Sequence, residues 1–456
     1  MKKKIDLKKL SPEKPIEFID LKVSDLDGRL HHLTLPFSEE VLDKLMTDGV
    51  GFDGSSYGFK KVENSDMIMK PDLETALIDP FRDAVTLSCF TRIFNTDDAN
   101  TPYQYDLRNM ADKAEALLEK YGIADSTMWG PEFEFYILEN VQFQSTTEHS
   151  FFKVESKENH MQNGYHIANP LDMYDDFRDE ATRLLLQAGI PIKYHHHEVG
   201  SKGQQEIETY FDNMLRTADN ILLGKYILHN LAAQKELSLT FMPKPMYKQA
   251  GSGLHVHHYL TKKGKNAFYE KGGYANLNQI ALYYIGGVLK HTAALSALTN
   301  PTTNSYKRLV PGVEAPTAIN FGQANRASCV RIPRYIKEPQ MTRFEYRPPD
   351  ATANPYLFLT AIMMAGLDGV INKIDPVKEG FGPYEASEFN PDIEMNYLPF
   401  SLSKALDNLE ADHEFLLRDD IFSKDLVQHW INIKRDEFNQ ISNWPSPIEY
   451  SMYFDI

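Results

Sequence analysis

The stretch Trp129–Leu138, WGPEFEFYIL, decides how the chain is read. In extended backbone successive side chains point to opposite faces, so Glu132 and Glu134 share one face while Phe133 and Phe135 share the other. Strand rise sets the two carboxylates roughly 6–7 Å apart. Like charges on one strand face repel unless solvent or cations lie between them. Taken alone, the pair fits a solvated edge strand better than a site.

Three other stretches shift that balance. RFEYR puts Arg343, Glu345 and Arg347 on one face, with Phe344 and Tyr346 on the other. GSGLHVH puts His255 and His257 on one face after a glycine-rich turn. HHHEVGSKGQQE brings Glu198 and Glu206 around a loop containing Gly200 and Gly203. Several strands with charge opposite an apolar face point to an enclosed polar site. Many carboxylates with only one or two histidines favour a hard cation such as Mg²⁺ or Mn²⁺ over zinc. Arginines beside them suit a phosphate-bearing substrate, because the guanidinium fork matches phosphate oxygens. Together these groups predict phosphoryl transfer driven by positioning and charge neutralisation.

Outward from these strands, the chain divides. Residues 16–101 alternate short apolar runs with turns, and Asp27-Gly28 carries a hairpin signal, so a small β-rich domain is expected there. Pro102 opens a second unit, 102–456, in which strands alternate with helices. Helical spacing is readable in YQYDLRNMADKAEALLEKYG and DDFRDEATRLLLQAG, near 212–231, 277–298 and 355–372, and from Ser401 onward. The polar segment 144–164 lacks a period and reads as a surface loop. The expected class is α+β, a small β domain followed by strands backed by helices.

The chain has 456 residues and a net charge of −16, which gives a nucleic-acid backbone no electrostatic hold. Its two cysteines, Cys89 and Cys329, stand far apart and imply neither a disulfide framework nor a zinc site. The basic start, MKKKIDLKKLSPEK, lacks the apolar stretch of a secretory signal, and the apolar run Pro355–Leu367 stops at Asp368. A cytoplasmic protein with no membrane partner is expected. GxxxxGK[ST], GxGxxG and HExxH are all absent from the sequence. Gly54-Ser55-Ser56-Tyr57-Gly58 matches GxSxG, but the charged, proline-containing stretch after it has no helical period, so a polar turn is expected.

In order and spacing, the blocks FDGSS with NSDM, GPEFEF, HHHEVGSKGQQE, FMPKPM with GSGLHVH, NPTTNSYKRLVPGVEAP, NRASCVRIP, RFEYRPPD and ANPYL resemble class I glutamine synthetases of the bacterial and archaeal type. The likeness runs from about Ile16 to Ile456. It implies a β-grasp-like N-terminal domain, a catalytic domain with a curved antiparallel sheet, and a homo-oligomer, a dodecamer of two six-subunit rings with active sites between subunits. It implies ATP-dependent ligation of ammonia to L-glutamate through a γ-glutamyl phosphate. The alternatives are a related glutamate–amine ligase and a non-catalytic relative.

By the same resemblance, Glu134, Glu198 and Glu206 hold the metal nearer glutamate, while Glu132, His255 and Glu345 hold the metal on the nucleotide phosphates. Gly251, Arg308 and Arg347 match glutamate contacts, and Arg326 matches the arginine that stabilises phosphoryl transfer. His257, Arg331 and Arg343 match nucleotide contacts. Asp53 matches the residue that deprotonates ammonium from a neighbouring subunit, and Glu314 the flap glutamate that takes a proton from the tetrahedral adduct. Without the resemblance, Asp53 reads as a turn residue before Gly54 and Glu314 as a loop charge.

The chain departs from the family pattern at Ala250 (usually asparagine), Tyr259 (serine), Lys193 (an acidic nucleotide contact) and Gln340 (lysine). Phe389 stands where some members carry an adenylylated tyrosine, and Lys61 where one subclass has a feedback-sensing arginine.

Overall fold

The computed structural model describes residues 7–11, 13–59, 65–97, 101–158, 164–311, 315–385 and 395–456. Glu314, Lys61 and Phe389 lie outside them.

The N-terminal sheet is built from β1 (Phe18–Ser24), β2 (Leu30–Pro36), β3 (Val50–Asp53), β4 (Asp66–Pro71), β5 (Leu77–Ile78) and β6 (Thr86–Asn95), in the order β2-β1-β6-β4-β3 with β5 beside β6. β1 and β6 run parallel and the remaining pairs are antiparallel. The helix Glu39–Thr47 packs on this sheet, with the Ser38 side chain accepting from the Val41 N–H at its start. The hairpin expected at Asp27-Gly28 joins β1 to β2. Gly28 sits at φ +85°, and a Cβ there would meet Cα of Asn354 at 3.0 Å, so both backbone sign and space require glycine.

The catalytic sheet combines β7 (Ser126–Leu138), β10 (Ile192–His197), β11 (Gln204–Thr209), β12 (Ser238–Thr240), β13 (Leu254–Lys262), β14 (Lys265–Asn266), β15 (Ala318–Gln323), β16 (Ser328–Ile332) and β17 (Phe344–Tyr346). Its order is β10-β11-β7-β13-β17-β16-β15, with β12 on β7 and β14 on β13. All pairs are antiparallel, as expected of this sheet, except β15–β16, which run parallel at its end. The short return 324–327, with Ala324 at φ +56°, brings the chain back to begin β16 beside the start of β15.

Helices Leu107–Lys120, Asp175–Gln187, Met214–Gln234, Gln279–Thr299 and Pro355–Asn372 back this sheet. Phe133, Phe135, Leu254, Val256, Phe344 and Tyr346 point from β7, β13 and β17 into the core and are fully or almost fully buried. This is the period-two reading of the sequence. Helix Pro355–Asn372 is the one described helix long and apolar enough to cross a membrane, but 83% of it is buried inside the protein. It is a core helix.

The segment read as a loop, 144–164, is partly ordered strand. β8 (Asn140–Ser145) pairs antiparallel with β9 (Ser150–Glu155), turning where the Thr146 N–H donates to the His149 carbonyl (2.7 Å). Both faces of this hairpin are mostly solvated, with Phe143 79% exposed, so the hydrophobic alternation that advertises a strand is missing. Residues 159–163 lie outside the described set.

The two units meet through buried polar contacts. Arg108 donates to Asp219 of the helix Met214–Gln234 (2.8 Å) and to Asp72 of the small unit (3.0 Å). Asn354 caps helix Pro355–Asn372 with Oδ1, which accepts from the Tyr356 N–H (3.0 Å), while its Nδ2 donates to the Asp25 carbonyl (2.9 Å) in the β1–β2 turn.

Candidate active site

Register places the charged residues opposite one another. Glu206 faces Glu134 and Glu208 faces Glu132 across β11 and β7. His196 of β10 faces Glu206. His255 of β13 faces Glu132, His257 faces Glu345 of β17, and Arg331 of β16 faces Glu345. Carboxylates directly opposed on neighbouring strands repel, and a sheet carrying two such pairs on one face holds stored repulsion available to a cation.

Of these, Glu132, Glu134, His196, Glu206, His255, Arg331 and Glu345 line an open cavity of about 230 Å³. Glu132, Glu134, Glu198, Glu206 and Glu345 contribute acid, and Arg308, Arg326, Arg331 and Arg347 contribute positive charge. Gly251 and Ala250 form part of the wall, with the Tyr136 hydroxyl donating to the Ala250 carbonyl (2.7 Å) and Gln204 Nε2 to the Gly251 carbonyl (3.0 Å). A Cβ on Gly251 would lie 2.6 Å from Arg308 Cγ and 2.8 Å from the Pro243 carbonyl, so the turn passes that arginine only as glycine.

Glu132 is the hub. Arg308 Nη2 donates to His255 Nε2 (3.1 Å) and Arg343 Nε donates to His257 Nδ1 (3.3 Å). Arginine can only donate, so the other nitrogen of each ring carries the proton. His255 Nδ1 then donates to Glu132 Oε2 (2.9 Å) and His257 Nε2 to Glu132 Oε1 (2.8 Å). Burial pushes the Glu132 carboxyl up, but the two imidazoles outweigh it and hold Glu132 well below the carboxylate range. Glu345 is buried too, yet Arg347 brings it down to about 2, and Arg331 also pairs with it.

Glu198 and Glu206 have the reverse balance. Burial, and then the charge of Glu134, push Glu198 up to about 7. Burial and the charges of Glu132, Glu134 and Glu198 push Glu206 well above the carboxylate range. Glu134 Oε2 accepts from the Gly253 N–H (2.8 Å). Three groups offer ligand atoms within 4.8 Å of one another at this site: Glu132–His255–Glu345, His196–Glu198–Glu206 and Glu132–Glu208–His257. Oxygen-rich groups of this kind fit Mg²⁺ or Mn²⁺, and a cation would relieve the repulsion that raises Glu198 and Glu206.

Two family models match the chain, one described as the glutamine synthetase beta-Grasp domain over residues 15–96 and one as the glutamine synthetase catalytic domain over residues 104–453. The chain belongs to the glutamine synthetase family. It is 42% identical to a glutamine synthetase of Frankia alni over 97% of both chains. A glutamine synthetase of Aquifex aeolicus is 40% identical over 97% of this chain and 96% of that one. Among solved structures, a cryo-EM Plasmodium falciparum glutamine synthetase superimposes with TM-score 0.87 at 28% identity, covering 96% of each chain. One titled "GmaS/ADP complex-Conformation 1" gives 0.83 at 25% identity, covering 99% of this chain and 100% of that one. This membership supports ATP-dependent glutamine synthesis and does not favour the amine-ligase alternative.

The structure places the expected site residues in three ways. Glu132, Glu134, Glu198, Glu206, His255, Glu345, Gly251, Arg308, Arg326, Arg331 and Arg347 line the cavity of this family member. His257 and Arg343 stand behind that wall, buried, with the Arg343 guanidinium 5.3 Å from the Phe211 ring. Asp53 is exposed in the small unit and caps the turn Gly54–Tyr57, where hydrogen bonds from the Ser55 hydroxyl and N–H hold it down at about 2. It is not among the residues that line the cavity of its own chain.

His196, Glu208, Gln204, Tyr165, Tyr194 and Tyr335 are neighbours that sequence reasoning missed. Glu208 had a usable signal. Glu206-Ile207-Glu208 repeats the alternation of Glu132-Phe133-Glu134, only with a single isoleucine as its apolar partner.

Proposed function

We propose that Glu132, His255 and Glu345 hold one divalent ion on the nucleotide phosphates and that Glu134, Glu198 and Glu206 hold a second beside glutamate. The observation that carries this is the strand register, which sets glutamate against glutamate across β11 and β7 and leaves Glu198 and Glu206 short of a counter-charge. Bound Mg²⁺ or Mn²⁺ supplies charge neutralisation for phosphoryl oxygens.

The chain's own groups do the rest. Arg308, Arg347 and the Gly251 backbone hold the glutamate carboxylates, while Arg326, on the rim, faces the transferring phosphoryl group and draws off its developing charge. Arg331, Arg343 and His257 orient the nucleotide. The γ-phosphoryl group passes from ATP to the glutamate side-chain carboxylate. Ammonia then attacks the acyl phosphate and phosphate leaves. Asp53 of an adjoining subunit takes a proton from ammonium, because only the neutral form attacks, and Glu314 takes the proton from the tetrahedral adduct. The exposure of Asp53, outside the lining of its own cavity, supports an assembly in which each active site is shared between copies; a dodecamer of two rings belongs to the same reading. The domain division 16–101 and 102–456 and a cytoplasmic location belong to the same reading.

The test is phosphate release with Mg²⁺, ATP and glutamate, comparing ammonium with a panel of amines. Ammonium is the efficient acceptor on this reading. Efficient use of an amine with ammonium almost inert would overturn the assignment, and no release with any acceptor would point to a non-catalytic relative.

A further inference from the structure

The third ligand group, Glu132–Glu208–His257, holds a lysine ammonium of the chain's own, where the Glu132–His255–Glu345 group has the arginines Arg331 and Arg347 on Glu345. Lys193 Nζ lies 2.6 Å from Glu208 Oε1, and Glu208 is 1% exposed. Glu208 Oε2 is buried without a hydrogen-bond partner, although Glu132 stands directly opposite on β7.

The lysine reaches this carboxylate through a break in the ladder. β10 pairs with β11 as Ile192↔Thr209 and then Tyr194↔Glu208, so the register slips at Lys193 and leaves that residue without a partner of its own. A bulge of this kind bends the strand and re-aims a side chain. A lysine on a regular edge strand would be free to extend into water. Here its side chain is only 22% exposed and ends on the most deeply buried acid of β11. An ammonium is a compact point charge with three donors, the closest side-chain substitute for a small hard cation.

We propose that Lys193 is a resident cation, filling with its ammonium group the third position that Glu132, Glu208 and His257 would otherwise offer to a divalent ion. The proposal rests on the reading of the other two groups as ion sites. It makes Lys193 a positioning residue that fixes how many ions the site loads. The departure at residue 193 is then paired with Glu208 as one ion pair across two strands.

The test counts Mn²⁺ bound per chain in the full-length enzyme at saturating ADP, by equilibrium dialysis with metal analysis. One ion for each of the other two groups is expected in the wild type, and one more in Lys193→Met. Lys193→Arg, which keeps the charge, should stay at the wild-type count. Adding Glu208→Gln to Lys193→Met should remove the extra ion, a reversal that a merely structural role for the lysine would not produce. An unchanged count in Lys193→Met, or a wild type that already binds the additional ion, overturns the inference. A wild type that binds no Mn²⁺ overturns the reading of the other two groups as well.

Discussion

Replacing Glu198 by glutamine in the metal-free protein isolates the repulsion stored among the acids of β7, β11 and the loop between β10 and β11. Burial and Glu134 raise this carboxyl from its ordinary 4.5 to about 7. Between those values the folded chain keeps a proton that the unfolded chain has released, so stability falls as pH rises through that window and is lowest above about 7. From pH 5.5 to 7 the shift spans about 1.5 pH units, or about 2 kcal/mol at 1.36 kcal/mol per unit. A chain of 456 residues has an unfolding entropy on the order of 1 kcal/mol per degree, so the melting temperature should drop by about 2 °C from this group. The assay is thermal unfolding in a chelator at pH 5.5 and 8, for wild type and Glu198→Gln. Groups away from the cavity shift both proteins alike, so the difference between the two slopes reports Glu198 together with its push on Glu206. Saturating Mg²⁺ should abolish that difference, since the ion compensates the charge. A Glu198→Gln protein whose melting temperature falls with pH as steeply as the wild type would refute the reasoning.

Glu134→Ala should abolish turnover while leaving the fold intact, and measurable glutamine formation by the variant would remove Glu134 from the ion site. Gly251→Ala forces a methyl group into Arg308 Cγ and the Pro243 carbonyl, so an activity loss of at least about tenfold with a stability cost of about 1–3 kcal/mol is expected, read from initial rates and urea unfolding. Asn354→Ala removes both a helix cap and the amide that holds the Asp25 carbonyl, and denaturant unfolding should show a loss of about 1–2 kcal/mol. Arg347→Lys keeps the charge but not the planar guanidinium that meets Glu345 with Nη1 and the Arg326 carbonyl with Nε, and should lower kcat more than it changes the melting temperature.

Much of the site was legible because its strands alternate cleanly. Phe133 with Phe135, Leu254 with Val256, and Phe344 with Tyr346 mark the core face, so the acids and histidines between them had to share the other side. The long helices Gln279–Thr299 and Pro355–Asn372 were legible from their apolar spacing, and their Asn278 and Asn354 caps lie where the pattern begins. Pairing was not legible. Nothing local states that Glu208 meets Glu132 or that β10 slips at Lys193, because register is decided by the whole sheet. The β8–β9 hairpin stayed hidden for the opposite reason, since its exposed Phe143 and Phe152 break the pattern that identifies a half-buried strand. The parallel turn from β15 to β16 depends on Ala324 at positive φ, a conformation that alanine rarely announces.

The alternation of β7 has a consequence for how errors in this protein are tolerated. Odd-numbered positions Phe133 and Phe135 build the interior and even-numbered positions Glu132 and Glu134 build the chemistry. A slip of one residue against β11 exchanges the two sets at a stroke, burying two carboxylates in apolar surroundings and turning two phenyl rings toward the cavity. No half-correct pairing keeps a sound core with a faulty site, or the reverse. Parity along one strand thus works as a proofreading mark: a chain that has found its hydrophobic interior has, by the same act, assembled its acids.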